Sequence, residues 1–280
     1  MSVATTNRIA LAENLSAVAR IETQSQLYPK EHGAYAILGV PLATALFIVG
    51  LMPVTVLLSI ATITAFLAHE PLLILAGGRG TRVRDAAPQA RRLLLGRLAV
   101  ALVCGAMAFW MTSLIARVGM IACLLFAMIE FALAAAGKSR TLAAQILALA
   151  GLALPSAVVL IAGGVDLMVA GQFLLIWFAG RMATTVSVRL VIAQHKASTS
   201  LRALRTCDML LIVAGIFIGV GLVTRDRQWL AAIPMIVAAV VLRVRPPHPS
   251  HLKQIGWSLV VVNIASGIGM IWLVTHRSIL

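Results

Sequence analysis

Charged residues are scarce in this chain, and acidic ones scarcest. Its 280 residues include nine Asp and Glu, and 11% of positions are charged, against about 25% in a soluble domain. So little charge excludes a single fold that faces water on every side. Cysteine is scarce too: Cys104, Cys123 and Cys207 are scattered, with no CxxC spacing. That excludes a disulfide framework and a cysteine metal site, and leaves three small packing residues. No GxxxxGK(S/T) order is present, which excludes a P-loop. No linker is long or polar enough to divide the chain, and no internal repeat is visible. The opening residues lack an apolar core followed by a small-residue cleavage site, so no cleavable signal is expected.

What is present is apolar. Hydrophobic residues make up 61% of the chain, and the mean hydropathy is +0.99. The solvent for such a surface is lipid. A membrane helix needs about 20 apolar residues. Runs of that kind stand at 33–52, 54–77, 93–116, 117–137, 141–164, 166–189, 207–224, 228–245 and 253–276. The fold class expected is all-α: a polytopic membrane protein of about nine transmembrane helices. Residues 1–27 read as a mobile cytoplasmic tail and 28–280 as a single transmembrane helical domain.

The cations set an orientation. With the N-terminus inside, all but four of the 23 Lys and Arg fall on cytoplasmic segments or helix ends, the exceptions being Arg117, Arg225, Arg227 and Arg277. Cytoplasmic loops are enriched in these residues, so the chain reads N-terminus inside and C-terminus outside. The net charge of +14 then marks topology and attraction to anionic membrane lipids, and no nucleic-acid partner is expected. The longer connections, Gly77–Arg92 and Leu190–Thr206, are cytoplasmic in this scheme. Long connections carry function, so the working face is expected there. Gly215 and Gly219, and Ala265, Ser266, Gly267 and Gly269, read as helix-packing residues. Pro41, Pro155 and Pro234 lie inside spans, where membrane helices tolerate them.

Ionisable groups inside spans are costly, which makes each a functional candidate. Glu31 and His32 open the first span, His69 and Glu70 lie near the end of the second, and Glu130 lies in the fourth. Arg181, Thr185 and Arg189 lie in the sixth, and Asp208 starts the seventh. All fall in the cytoplasmic half of their spans, which predicts one polar cavity open to the cytoplasm. Arg181, Thr185 and Arg189 are spaced i, i+4, i+8, one stripe that could hold a phosphate. Arg189 could equally mark a helix end. His69 and Glu70 could ligate a metal, transfer protons or form an interhelical pair. Pro71 leaves the carbonyl of residue 67 without its usual donor. The basic, glycine-rich stretch GGRGTRVRDAAPQARR brings Arg79 and Arg82 as candidate phosphate contacts or lipid-headgroup anchors.

YPKEHGAYAILGVPLA, HEPLLILAGGRGTR and the looser TTVSVRL together resemble the YwiC-like family of bacterial integral membrane proteins, whose activity is unassigned. The layout is also similar to the UbiA-type prenyltransferases. That second resemblance implies a nine-helix UbiA-like bundle with a cytoplasm-facing site, where Asp-rich motifs after the second and sixth helices hold magnesium and a prenyl diphosphate. His69–Arg84 and Arg181–Lys196 fall near those places. The carboxylate series is missing: only Glu70 stands in the first segment, with Asp85 just after it, and none in the second. A diverged enzyme acting on an isoprenoid or phospholipid is therefore one expectation, with His69, Glu70 and Glu130 catalytic. The substrate would be held by Glu31, His32, Arg79, Arg82, Arg181, Thr185, Arg189 and Asp208, with magnesium as a possible cofactor. A non-catalytic lipid- or cofactor-binding protein is the alternative, and a transporter the third. The location expected is the bacterial inner membrane.

Overall fold

The computed structural model describes residues 32–77, 87–138, 141–194, 201–223 and 227–276. The expected tail, 1–27, lies outside them. Among the described residues there is no strand, and nine α-helices follow in order. They are α1 (His32–Val49), α2 (Pro53–Leu75), α3 (Ala87–Met111), α4 (Leu114–Ala135), α5 (Leu142–Ala162), α6 (Leu167–Gln194), α7 (Leu201–Val223), α8 (Ile233–Val244) and α9 (Leu252–Thr275). A short 3-10 helix, Arg227–Ala232, leads into α8. Seven of the described segments are long and apolar enough to cross a membrane, and two shorter apolar ones, Tyr35–Val49 and Asp208–Gly221, lie in α1 and α7. The chain is a multi-pass, all-helical membrane protein.

Local chemistry sets the helix ends. Ser113 accepts from the Ala116 amide, 3.4 Å, and starts α4. Arg117 turns back from α4 and donates to the last carbonyls of α3, Phe109 at 2.8 Å and Trp110 at 3.3 Å. This cation therefore closes a helix end whose carbonyls have no partner of their own. Thr141 caps α5 in the same way as Ser113 caps α4. At the ends of α4 and α5, Gly137 and Gly164 take φ of +70° and +89°. Only glycine adopts that geometry without strain. It lets the Lys138 and Val165 amides reach the carbonyls of Leu133 and Leu160, which satisfies one orphan carbonyl at each end.

These devices shift some expected boundaries. The third run, expected at 93–116, is a helix from Ala87 to Met111, because Ser113 and Arg117 fix the break after it. The sixth continues to Gln194 and the seventh starts at Leu201. Pro234 lies inside the span Arg227–Val244, in the first turn of α8 just after the 3-10 turn, where its missing N–H costs nothing.

The centre is α6. In the most apolar stretch of α6, 67% of residues are buried, against none for α4. Phe173, Ile176 and Trp177 of α6 sit in the main core with Leu42, Val159, Leu160 and Met235. Around this axis α6 packs on α5, α7 and α8, and α5 also packs on α1, α2 and α4. Helix α3 pairs with α2, and α9 lies against α1 and α8. First and last spans are thus neighbours.

Candidate functional site

Central α6 must carry its polar side chains inward, and Arg181, Ser187 and Arg189 reach different neighbouring helices. Arg181 is 1% exposed. Its Nε donates to Asn263 Oδ1 of α9 at 3.2 Å. Nη2 donates to the Ala36 carbonyl of α1 at 3.2 Å, and Nη1 to the Ile37 carbonyl. The guanidinium also lies over the Trp177 ring, 4.9 Å from its centre. The reason an arginine reaches α1 is Pro41. Proline has no N–H, so the carbonyl four residues earlier, that of Ile37, has no helical donor. Arg181 supplies one. No carboxylate pairs with it among the described residues.

The rest of the stripe diverges. Arg189 Nη1 donates to Gln145 Oε1 of α5 at 2.6 Å. Ser187 Oγ donates to the Ala239 carbonyl of α8 at 3.0 Å, and Thr184 Oγ1 to the Arg181 carbonyl at 3.0 Å. Thr185 is half-buried. The two arginines, on one helix face, therefore turn to different neighbours and do not share one ligand position through these bonds. Interhelical polar bonds of this kind hold membrane bundles together.

The same pattern recurs on α2. Pro71 frees the Leu67 carbonyl, and Arg97 Nη1 of α3 donates to it at 2.5 Å. Glu70 beside the proline is 4% exposed, and His69 is half-buried. Glu130 is half-buried on α4, the helix with least core contact. Asp208 of α7 accepts from Arg243 of α8 twice, Nε to Oδ1 at 2.7 Å and Nη2 to Oδ2 at 2.9 Å. Glu31, Arg79, Arg82 and the side chain of His32 lie outside the described residues. Among the described residues no three of His, Cys, Asp and Glu come together closely enough to hold a metal ion. Sequence reasoning missed Asn263, Gln145 and Arg97 as partners. The signal available was a proline in a span, whose freed carbonyl calls for a donor from elsewhere.

Two cavities open on the sides of the bundle, and both are apolar. One, of about 610 Å³, runs between α1 and α9, with Tyr35, Gly39, Phe47, Lys253, Gly256 and Trp257 among its walls. The other, of about 380 Å³, lies between α7 and α8 over Ala183 of α6, with Asp208 and Arg243 at one end. Neither is lined by His69, Glu70, Glu130, Arg181, Thr185 or Arg189.

Residues 28–160 match the family model described as YwiC-like protein. Over that stretch the chain is similar to that family. The match holds the motifs YPKEHGAYAILGVPLA and HEPLLILAGGRGTR and runs from α1 into α5. The central helix α6 and the α9 wall of the larger groove lie beyond it. No curated protein and no solved structure matches the chain.

Proposed function

We propose that this YwiC-like protein holds a membrane lipid with an anionic headgroup, a phospholipid or an isoprenoid phosphate, in the groove between α1 and α9. The membrane is the bacterial inner membrane, with the N-terminus inside and the C-terminus outside. One observation carries this reading: the groove is apolar along its length and has, among the described residues, a single charged lining residue, the cation Lys253, at one end. Tyr35 and Trp257 flank that end, and aromatic rings beside a cation mark the headgroup level. Gly39 and Gly256 leave the floor open, since a Cβ added at either meets nothing within 4 Å. From Tyr35 to Phe47 the α1 wall rises through twelve residue steps, about 18 Å at 1.5 Å per residue. That exceeds half of a hydrocarbon core of about 30 Å, so an extended chain lies along it while its headgroup stays at Lys253.

A catalytic version of the reading keeps Glu70 as a base, with His69 as proton carrier and Glu130 in support. It is favoured by the burial of Glu70 at the end of α2 that leads into the basic stretch with Arg79 and Arg82. The two versions separate in one experiment: native mass spectrometry with lipid extraction on protein in mild detergent, with magnesium or with a chelator. Lipid retention is expected to be severalfold lower in Lys253→Ala and lost in Gly256→Leu, with no magnesium dependence. Retention undiminished in Gly256→Leu overturns the groove. Release of the lipid by the chelator, or a product whose formation Glu70→Gln abolishes, replaces plain binding by metal-assisted or catalytic chemistry.

A further inference from the structure

The second cavity shares no lining residue with the α1/α9 groove, and its chemistry is different. Helices α7 and α8 both pack on α6 yet barely touch each other. Between them Gly215 faces open space: a Cβ there would meet nothing within 4 Å. Ala183 and Ala239 form a low floor, and Leu211, Ile236 and Val240 the walls. At one end stands the Asp208–Arg243 ion pair, its side chains 39% and 40% exposed. Arg243 uses Nε and Nη2 on Asp208, and its Nη1 has no partner among the described residues.

An apolar slot whose mouth shows one anion and one cation side by side selects a ligand with both charges and a tail. We propose that the slot binds an aminophospholipid, with the headgroup phosphate on Arg243 Nη1, the ammonium on Asp208 and an acyl chain over Gly215. The ion pair stays intact, and the two lipid charges complete an alternating square of four. An anionic lipid without an amine gains Arg243 but is repelled by Asp208. A quaternary choline headgroup carries the positive charge but no N–H to donate, so it forgoes the charge-assisted hydrogen bond. Asp208 to Gly215 is two helical turns, about 10 Å, which places the upper part of one chain inside the slot.

The test offers the purified full chain three synthetic lipids with identical acyl chains: phosphatidylethanolamine, phosphatidylcholine and phosphatidylglycerol. Retention is counted by native mass spectrometry. The ethanolamine lipid is expected to be retained severalfold above the other two. Asp208→Asn is expected to move the preference to phosphatidylglycerol. Gly215→Leu fills the slot without touching the ion pair, and is expected to remove the ethanolamine preference while thermal stability and lipid at the α1/α9 groove stay unchanged. Equal retention of the three lipids by the unaltered chain overturns the proposal. So does an ethanolamine preference that survives Gly215→Leu, or a dimer that Gly215→Leu dissolves with no change in lipid, which would make the slot a seat for a second copy. Where Asp208→Asn fails to fold, Gly215→Leu decides alone. Because Gly256→Leu blocks only the other groove, failure at one site is distinguishable from failure at the other.

Discussion

Two arginines in this bundle act as replacement backbone donors. Pro41 and Pro71 each remove an amide that would have served a carbonyl one turn back, and Arg181 and Arg97 serve those carbonyls instead. Inside lipid an unserved carbonyl has no water to turn to. Replacing Arg181 by Met keeps much of the side-chain volume and removes all its donors, and should lower stability by about 1–3 kcal/mol, the range for a buried acceptor left unpaired. Pro41→Ala returns an amide to the Ile37 carbonyl. In that background the Arg181→Met loss should shrink by about 1 kcal/mol, a coupling of the size neighbouring groups show. Denaturant unfolding in detergent of the two single variants and the double variant measures it, and strictly additive losses would sink the idea. The prolines and the freed carbonyl at position 67 are legible in the sequence. The identity of the donor is not, because Arg181 lies 144 residues from Ile37, and only packing brings them together. The same distance explains why an i, i+4, i+8 stripe suggested a shared anion site: spacing along one helix shows which residues share a face, not which neighbours each side chain meets.

Glycines separate the helices that touch from those that stand apart. Gly215 and Gly219 read alike in the sequence, as small residues for close packing. The close approach in α7 lies instead at Gly221, where a Cβ would come within 2.1 Å of the Trp229 ring, while one at Gly215 or Gly219 meets nothing within 4 Å. Trp229 belongs to the 3-10 turn that precedes α8, so this contact ties one end of α7 to α8 and the Asp208–Arg243 pair ties the other. Gly221→Ala should therefore cost about 1–3 kcal/mol, as overpacking a filled site does. Gly215→Ala should be neutral or slightly stabilising, since it removes a helical glycine. Melting both variants in the same detergent checks the contrast, and equal shifts would contradict the placement of Trp229. Element existence was legible because each apolar run is long. The end of α3 was not, since it depends on Ser113 and on Arg117 folding back onto Phe109 and Trp110 rather than on where hydrophobicity stops.

At the scale of the whole molecule the distribution of Lys and Arg predicts one orientation, which labelling can test. Helices α2, α3 and α4 are consecutive crossings, so the turn at Leu51 lies on one side and Lys138 on the other, whether or not the shorter α1 spans. Lys138 stands on the side that the distribution of Lys and Arg makes cytoplasmic, and Leu51 on the side it makes external. Leu51 is 79% exposed and Lys138 is exposed as well, so each can be replaced by Cys with little effect on packing. In a background where Cys104, Cys123 and Cys207 are replaced, a membrane-impermeant thiol reagent on intact cells should label Leu51→Cys at once and Lys138→Cys only after permeabilisation. The opposite pattern inverts the orientation and moves Lys253, eight residues beyond Arg245 in the sequence, to the external face together with any headgroup it holds. Labelling of both from outside would break the crossing between α2 and α4 and with it the alternation on which the orientation rests. With α7 counted as a crossing although its apolar stretch is one of the two shorter ones, α5 to α7 make three further crossings and α8 a fourth, and the expected result then puts the Lys253 end of the α1/α9 groove and the Asp208–Arg243 end of the α7/α8 slot in the cytoplasmic leaflet.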